Sequence, residues 1–183
     1  MEELLIQTRQ ALKNEPLTQA VFPHPIAFNL FSHNTRIDED GYNEEERKMV
    51  NESRKILHDD DLRITATCIR VPVLRAHSES VNIEFEGPRP SIPETLNALK
   101  SFPGVRIVDD EANNHFPMPI EATGIDECLV GRVRADISNV NAIDLFVSGD
   151  QILKGAALNG FQIAELLIRE NLVKTAALAA SHA

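Results

Sequence analysis

Between Arg63 and Glu86 two β-type runs flank a turn that carries Arg70, Arg75 and His77. Cations and a titratable imidazole at the end of an apolar strand are the parts of a site for an anionic small molecule. By the strand period of two, Arg70 shares a face with Ile64, Ala66 and Cys68. A guanidinium on an apolar face needs an anion, and either a carboxylate side chain or a ligand meets that need. His77 follows the strand end by a few residues; a loop histidine near arginine is a general-base candidate, but from spacing alone it is more often a surface or structural histidine. Glu45 and Lys48 stand i and i+3 on one edge of a predicted helix, next to its apolar stripe. Taken alone they form a solvated pair, and Asp59-Asp60-Asp61 reads as solvated charge.

The elements that must position these residues follow from periodicity. Leu4, Leu5, Ile6, Ala11 and Leu12 predict a helix over 2–14, closed by Asn14-Glu15-Pro16. Residues 20–42, rich in Pro and Asn, predict an irregular excursion around the run Ile26 to Phe31. Asn43 with Glu46 is a capping-box pattern for a helix to about Leu57, with Met49, Val50, Ser53, Ile56 and Leu57 as its inner stripe. Strands are expected at about 63–73, 80–86, 105–108, 128–136 and 142–148. Ser91 and Glu94 cap a helix to about Phe102, and Asp150 caps a last helix over about 151–171. In that last helix Ala156, Gly160 and Ala164 share a face that would let another element approach closely. Strands and helices that do not strictly alternate predict a single α+β domain. Its sheet is expected to be mixed or largely antiparallel, with helices on one face.

The chain has 183 residues, 43% hydrophobic and 25% charged, which is enough for one domain with a sizeable core. A net charge of -10 argues against general nucleic-acid binding. Cys68 and Cys128 sit in apolar runs and are expected to be buried, reduced thiols with no zinc spacing around them. No apolar run approaches the roughly 18 residues of a membrane span, and no basic secretory signal opens the chain. Neither a P-loop nor a strand–GxGxxG–helix unit occurs. The alanine-rich end, 175–183, is expected to be a disordered tail.

Six stretches, in order over about 1–174, together resemble the C-terminal half of the aspartate-β-semialdehyde dehydrogenase family. They are Val21-Phe-Pro-His-Pro-Ile-Ala-Phe-Asn-Leu30, Glu45-Glu-Arg-Lys-Met49 through Lys55-Ile56, Ile64-Thr-Ala-Thr-Cys-Ile-Arg-Val-Pro-Val73, Arg75-Ala-His-Ser-Glu79, Val130-Gly-Arg-Val-Arg134 and Asp150-Gln-Ile-Leu-Lys-Gly-Ala-Ala-Leu-Asn159. Any one of them is moderately specific; the set is highly so. The resemblance implies a substrate-binding and dimerisation domain over 1–174, like the C-terminal domain of glyceraldehyde-3-phosphate dehydrogenase-like enzymes. It implies NADPH-dependent reduction of β-aspartyl phosphate to aspartate semialdehyde through a cysteine thioester, on the route to lysine, threonine and methionine. His77 matches the family's acid/base, and Arg70 its clamp on the substrate carboxylate. Glu45 matches the residue that holds the substrate ammonium, Lys48 the one that meets phosphate, and Gln151 a cofactor contact. No metal is implied, and neither nucleic acid nor membrane is an expected partner.

The family's nucleotide-binding domain, its Gly-rich turn and its nucleophilic cysteine have no counterpart in these residues, and neither Cys68 nor Cys128 matches the nucleophile. NADP is therefore expected to bind mainly to a separate N-terminal domain, and the chain is expected to be inactive alone. The partners implied are that domain and a second copy in a homodimer. The compartment implied is the cytoplasm, or the plastid stroma in a plant. A non-catalytic dimerisation module from a truncated paralogue is the alternative.

Overall fold

Helix α1 (Glu2–Leu12) forms where a helix over 2–14 is expected, but its buried face is polar. Leu4 is buried, whereas Leu5, Ile6 and Leu12 are exposed and the deepest side chains are Glu3 and Gln7, the latter 0% exposed. The reason lies in the irregular stretch after it. Glu3 accepts from the backbone N–H groups of Ala20, Val21 and Phe22, and Gln7 accepts from those of Ile26 and Ala27 while donating to the Thr18 carbonyl. Backbone without a ladder still needs partners, and two helical side chains supply them. Leu4, Ile26 and Ala27 then form a small core with Phe22 and Phe31 packed against it.

In this computed structural model the described residues are 1–172, so the tail expected at 175–183 lies outside them. Contacts divide the chain into two units, Met1–Leu74 and a second that begins at Arg75. In the first unit, β1 (Phe31–Ser32) pairs antiparallel with β2 (Ile69–Arg70), and α2 (Glu44–Leu57) lies between them in sequence. The capping box at Asn43 and Glu46 is present as expected. The expected inner stripe of α2 is not: Val50 is buried, but Ile56 is 72% and Leu57 63% exposed, because the unit carries no layer over the far end of the helix. The strand expected over 63–73 pairs only at Ile69 and Arg70. Upstream the chain stays extended, with Leu62, Ile64, Ala66, Cys68 and Arg70 half-buried and the residues between them exposed. The period of two is obeyed where the ladder is missing.

The second unit holds a four-stranded mixed sheet in the order β3-β6-β5-β4. Its strands are β3 (His77–Glu84), β4 (Val105–Ile107), β5 (Cys128–Ala135) and β6 (Ala142–Gly149). Pairing is antiparallel between β3 and β6 and between β6 and β5, and parallel between β5 and β4. Helix α3 (Ile92–Ser101), with the Ser91–Glu94 capping box, packs Ile92, Leu96 and Leu99 on a core of Val130, Val133, Ile143 and Leu145. On the other face, one-turn α4 (Pro119–Ala122) brings Ala122 against Leu129 and Ala76. The α+β class and the mixed, largely antiparallel sheet agree with expectation.

Two features of this unit were not expected. The last helix opens with a π turn, Leu153–Ala157, before α5 (Leu158–Arg169). A β-bulge between Gly131 and Arg134 breaks the β5–β6 register. At Gly131 a Cβ would lie 1.9 Å from the Val108 carbonyl oxygen, so this position in the Val130-Gly-Arg-Val-Arg134 motif admits only glycine. Gly160 on α5 meets nothing within 4 Å. Gly131→Ala is therefore expected to cost about 1–3 kcal/mol through forced backbone movement, and Gly160→Ala to gain roughly 0.5–1 kcal/mol from helix propensity. Urea unfolding of the two variants checks both signs; a neutral Gly131→Ala would contradict the close approach.

Candidate functional site

Of the five residues singled out from the sequence, three lie in the first unit and two in the second. In the first, Glu46 does the positioning. One carboxylate oxygen accepts from the Asn43 N–H in the capping box and the other from the Cys68 N–H at 2.9 Å. This ties the first turn of α2, which carries Glu45 and Lys48, to the extended segment that ends at Arg70. The next link is the His33 N–H, which donates to the Cys68 carbonyl at 2.9 Å.

His33 shows that the three candidates converge. Burial lowers its pKa first, the charges of Arg70 and Lys48 lower it further, and Glu45 and Glu46 act in the opposite sense. The imidazole is thus held neutral at physiological pH among the residues expected to bind substrate. Lys48 Nζ lies 3.1 Å from Glu45 Oε2, and this pairing raises the lysine pKa. Both side chains remain exposed, as expected of a solvated pair. Lys48 also lines a shallow depression with Arg36, Tyr42 and Asn51.

Arg70 is half-buried and has no carboxylate within salt-bridge distance among the described residues. Its Nε donates to Asn34 Oδ1 at 3.2 Å, and its guanidinium stands 5.4 Å from the centre of the Phe22 ring. Of the two sequence alternatives, the structural salt bridge is absent there. An aromatic face and one amide orient the fork and leave its terminal nitrogens for an anion. Asn34, His33 and Phe22 were missed by sequence reasoning. Phe22 lies in the Val21–Leu30 stretch that carries the resemblance but had no role assigned, and the signal for His33 and Asn34 was to lie in the Pro- and Asn-rich excursion, whose spacing has no period.

In the second unit the organising residue is Asp150, 1% exposed, just beyond the end of β6. It accepts from Gly124 N–H at 2.7 Å and from the N–H groups of Ile152 and Leu153, and it pairs with Arg75 at 2.8 Å. Burial pushes its pKa up, but the bonds from Gly124, Arg75, Ile152 and Leu153 together outweigh burial and hold it well below the usual carboxylate range. The last helix opens at Leu153 with Ile152, not Asp150, at its N-cap; Asp150 instead bonds the N–H groups of Ile152 and Leu153 and doubles as an ion-pair partner that the sequence did not reveal. Gln151 follows directly, and its Oε1 accepts from the Ala76 N–H at 2.7 Å. His77 comes next in the chain and opens β3, in register with Gly149.

Gly149 also stands beside Cys128, whose Sγ lies 3.1 Å from where a Cβ on Gly149 would be. Burial raises the Cys128 thiol pKa, with Lys154 opposing. A thiol pushed up in this way is a poor nucleophile. Both cysteines are half-buried and less enclosed than expected. Among the described residues no cluster of His, Cys, Asp and Glu is arranged to hold a metal ion, and no helix is long and apolar enough to cross a membrane.

Comparison with known proteins converges on one family. The family described as semialdehyde dehydrogenase, dimerisation domain, matches residues 1–154. An aspartate-semialdehyde dehydrogenase from Synechocystis sp. is 55% identical over 168 residues, which is 92% of this chain and 49% of that protein. The crystal structure of aspartate semialdehyde dehydrogenase II from Vibrio cholerae, complexed with ASA, superposes with a TM-score of 0.87 at 38% identity, covering 92% of this chain and 49% of that one. A probable aspartate-semialdehyde dehydrogenase from Pseudomonas aeruginosa gives a TM-score of 0.85 at 32% identity, covering 93% and 50%. The chain thus spans about half the length of the relatives it matches.

The Asp150 geometry sets an acid limit. A carboxylate whose folded pKa is depressed adds stability that is fully present above its unfolded pKa of about 3.9 and is lost as pH falls through the folded value. Asp136, held down to about 2 chiefly by Ser138, acts in the same window. Stability in urea should accordingly fall steeply between about pH 4 and pH 2. Asp150→Asn should be markedly less stable at pH 7, since it leaves Arg75 without its partner, and should show a flatter acid limb. Equal acid limbs for both proteins would contradict this role for Asp150.

Proposed function

The chain belongs to the semialdehyde dehydrogenase, dimerisation domain family, and on that premise we propose that it is the substrate-binding and dimer-forming half of an aspartate-semialdehyde dehydrogenase. The observation that carries the substrate part is Arg70, an oriented guanidinium with no acidic partner among the described residues. It would clamp the substrate carboxylate through its two terminal nitrogens. Glu45 would meet the substrate ammonium, and Lys48 the phosphoryl group of the acyl phosphate or the inorganic phosphate it releases. A neutral His33 beside them adds no third cation to compete for the anion. The charges suit a zwitterionic acyl phosphate: two cations for two anionic groups and one carboxylate for the ammonium.

His77 would be the acid/base, taking the proton of a nucleophilic thiol and returning one as the thiohemiacetal collapses. The raised pKa of the Cys128 thiol supports a nucleophile from elsewhere. That source would be the other half of the enzyme, a nucleotide-binding domain that completes the catalytic unit. NADP, when bound, supplies the hydride chemistry. This chain's contribution to the cofactor would be small, since it contains no Gly-rich phosphate loop. Gln151 fits one contact: with its oxygen given to Ala76, its amide NH₂ is left to donate. The working form would be a homodimer in the cytoplasm, or in the plastid stroma for a plant protein, on the route to lysine, threonine and methionine.

Phosphate- and aspartate-semialdehyde-dependent NADP reduction tests the proposal. The chain alone is expected to be inactive. Mixed with a separately made nucleotide-binding half it should turn over, and His77→Ala should reduce the rate by roughly a hundredfold or more. Arg70→Lys should chiefly raise KM for the semialdehyde. A mixture shown to associate yet inactive would instead make the chain a non-catalytic dimerisation module.

A further inference from the structure

Ala76 has a backbone conformation that an alanine rarely adopts. Its φ is +78°, in the region that favours glycine, and the residue is 7% exposed. An L-residue keeps such a conformation only where its surroundings over-determine it. Those surroundings are visible. The methyl group packs against Ala122 and Leu129, and the N–H donates to Gln151 Oε1 at 2.7 Å. Its neighbour Arg75 is held by buried Asp150 at 2.8 Å, and the hydroxyl of Ser148 donates to the carbonyl of His77 at 3.2 Å. The turn that launches His77 is therefore gripped on both sides by consecutive residues, Asp150 through Arg75 and Gln151 through Ala76.

We propose that Gln151 is a positioning residue for His77, acting through the Ala76 N–H. This rests on the reading of His77 as the acid/base and deepens it. An imidazole one residue beyond a strained peptide would drift if the turn relaxed to an ordinary conformation, since a small change in φ swings the start of β3. Gln151 Oε1 prevents that by satisfying the buried N–H only in the strained geometry. The same carboxamide keeps its NH₂ for a ligand acceptor, so one side chain couples cofactor contact and base placement through its two ends. Asn is one methylene too short to hold Ala76 from the same position, whereas Glu keeps an acceptor oxygen and loses the donor.

The test separates those two ends. In the 183-residue chain, a trans-hydrogen-bond coupling from the Ala76 amide nitrogen to the Gln151 carboxamide carbon is expected, together with slow Ala76 amide exchange. Its absence in the unsubstituted chain overturns the proposal without recourse to any variant. Gln151→Glu should keep the slow exchange and the single His77 ring signal. Gln151→Leu should speed Ala76 exchange by at least about tenfold and split or broaden the His77 signal, with amides in the middle of β5 unchanged. Unchanged Ala76 exchange and His77 signal in Gln151→Leu also overturn it. In the two-part enzyme, Gln151→Glu should raise KM for NADP with kcat nearly retained. Gln151→Leu should lower kcat on the order of tenfold to a hundredfold, a loss that His77→Ala should mask. A Gln151→Leu that changes only KM overturns the positioning role. An inactive two-part enzyme counts against the half-enzyme reading alone, because the amide and ring signals decide the proposal independently.

Discussion

A carboxylate sealed from water must find every partner it needs inside the protein, and in the second unit that demand fixes the geometry around residue 150. Asp150 gathers three backbone N–H groups and one guanidinium. Those four donors come from three separate places in the chain: the end of α4, the turn before β3 and the start of the last helix. Burial alone would favour the neutral acid, and these donors together keep the carboxylate ionised. The group works as a checkpoint on local structure more than as a source of net stability, since a buried ion pair seldom outperforms a well-packed apolar substitute.

The first unit uses the same device with different residues. Glu3 and Gln7 give α1 a buried polar face that satisfies the irregular backbone from Thr18 to Ala27. Glu46 bridges the cap of α2 and the extended segment at Cys68. Each of these side chains bonds backbone, so the position of a candidate site residue is set by main chain held in place by a buried polar neighbour. Phe22, fixed by Glu3 through its N–H, is the surface on which the Arg70 guanidinium rests.

How much was legible in the sequence follows from this. Both capping boxes, the four strands of the main sheet and the alternation leading to Arg70 were readable, because they are encoded in short-range spacing. The α2 stripe was misread, since apolar periodicity shows what a helix is able to bury and not whether a layer covers it. The buried face of α1 was invisible for the opposite reason: Glu and Gln look like solvent residues until an irregular segment needs their oxygens. The π turn and the bulge at Gly131 insert residues into otherwise regular elements, and a period cannot announce its own interruption. Glu45, Lys48 and Arg70 came from motif resemblance. Their gathering about His33, and the link of Gln151 to Ala76, came from tertiary contacts between residues far apart in the chain.

That separation has a consequence for how the protein matures. Glu3 and Gln7 close their bonds over 11–20 residues, so the first unit can organise its α1 region from neighbouring sequence. The bond from Ala76 to Gln151 spans 75 residues, and among the described residues the strand that begins at His77 pairs with β6, which ends at Gly149. Closing so long a loop is slow and comes late. During synthesis the His77 segment leaves the ribosome well before either partner exists, and it waits as an unpaired strand edge. The imidazole acquires a defined position only after nearly the whole described chain has been made, so an interrupted or C-terminally shortened product would carry every candidate binding residue of the first unit and no placed base.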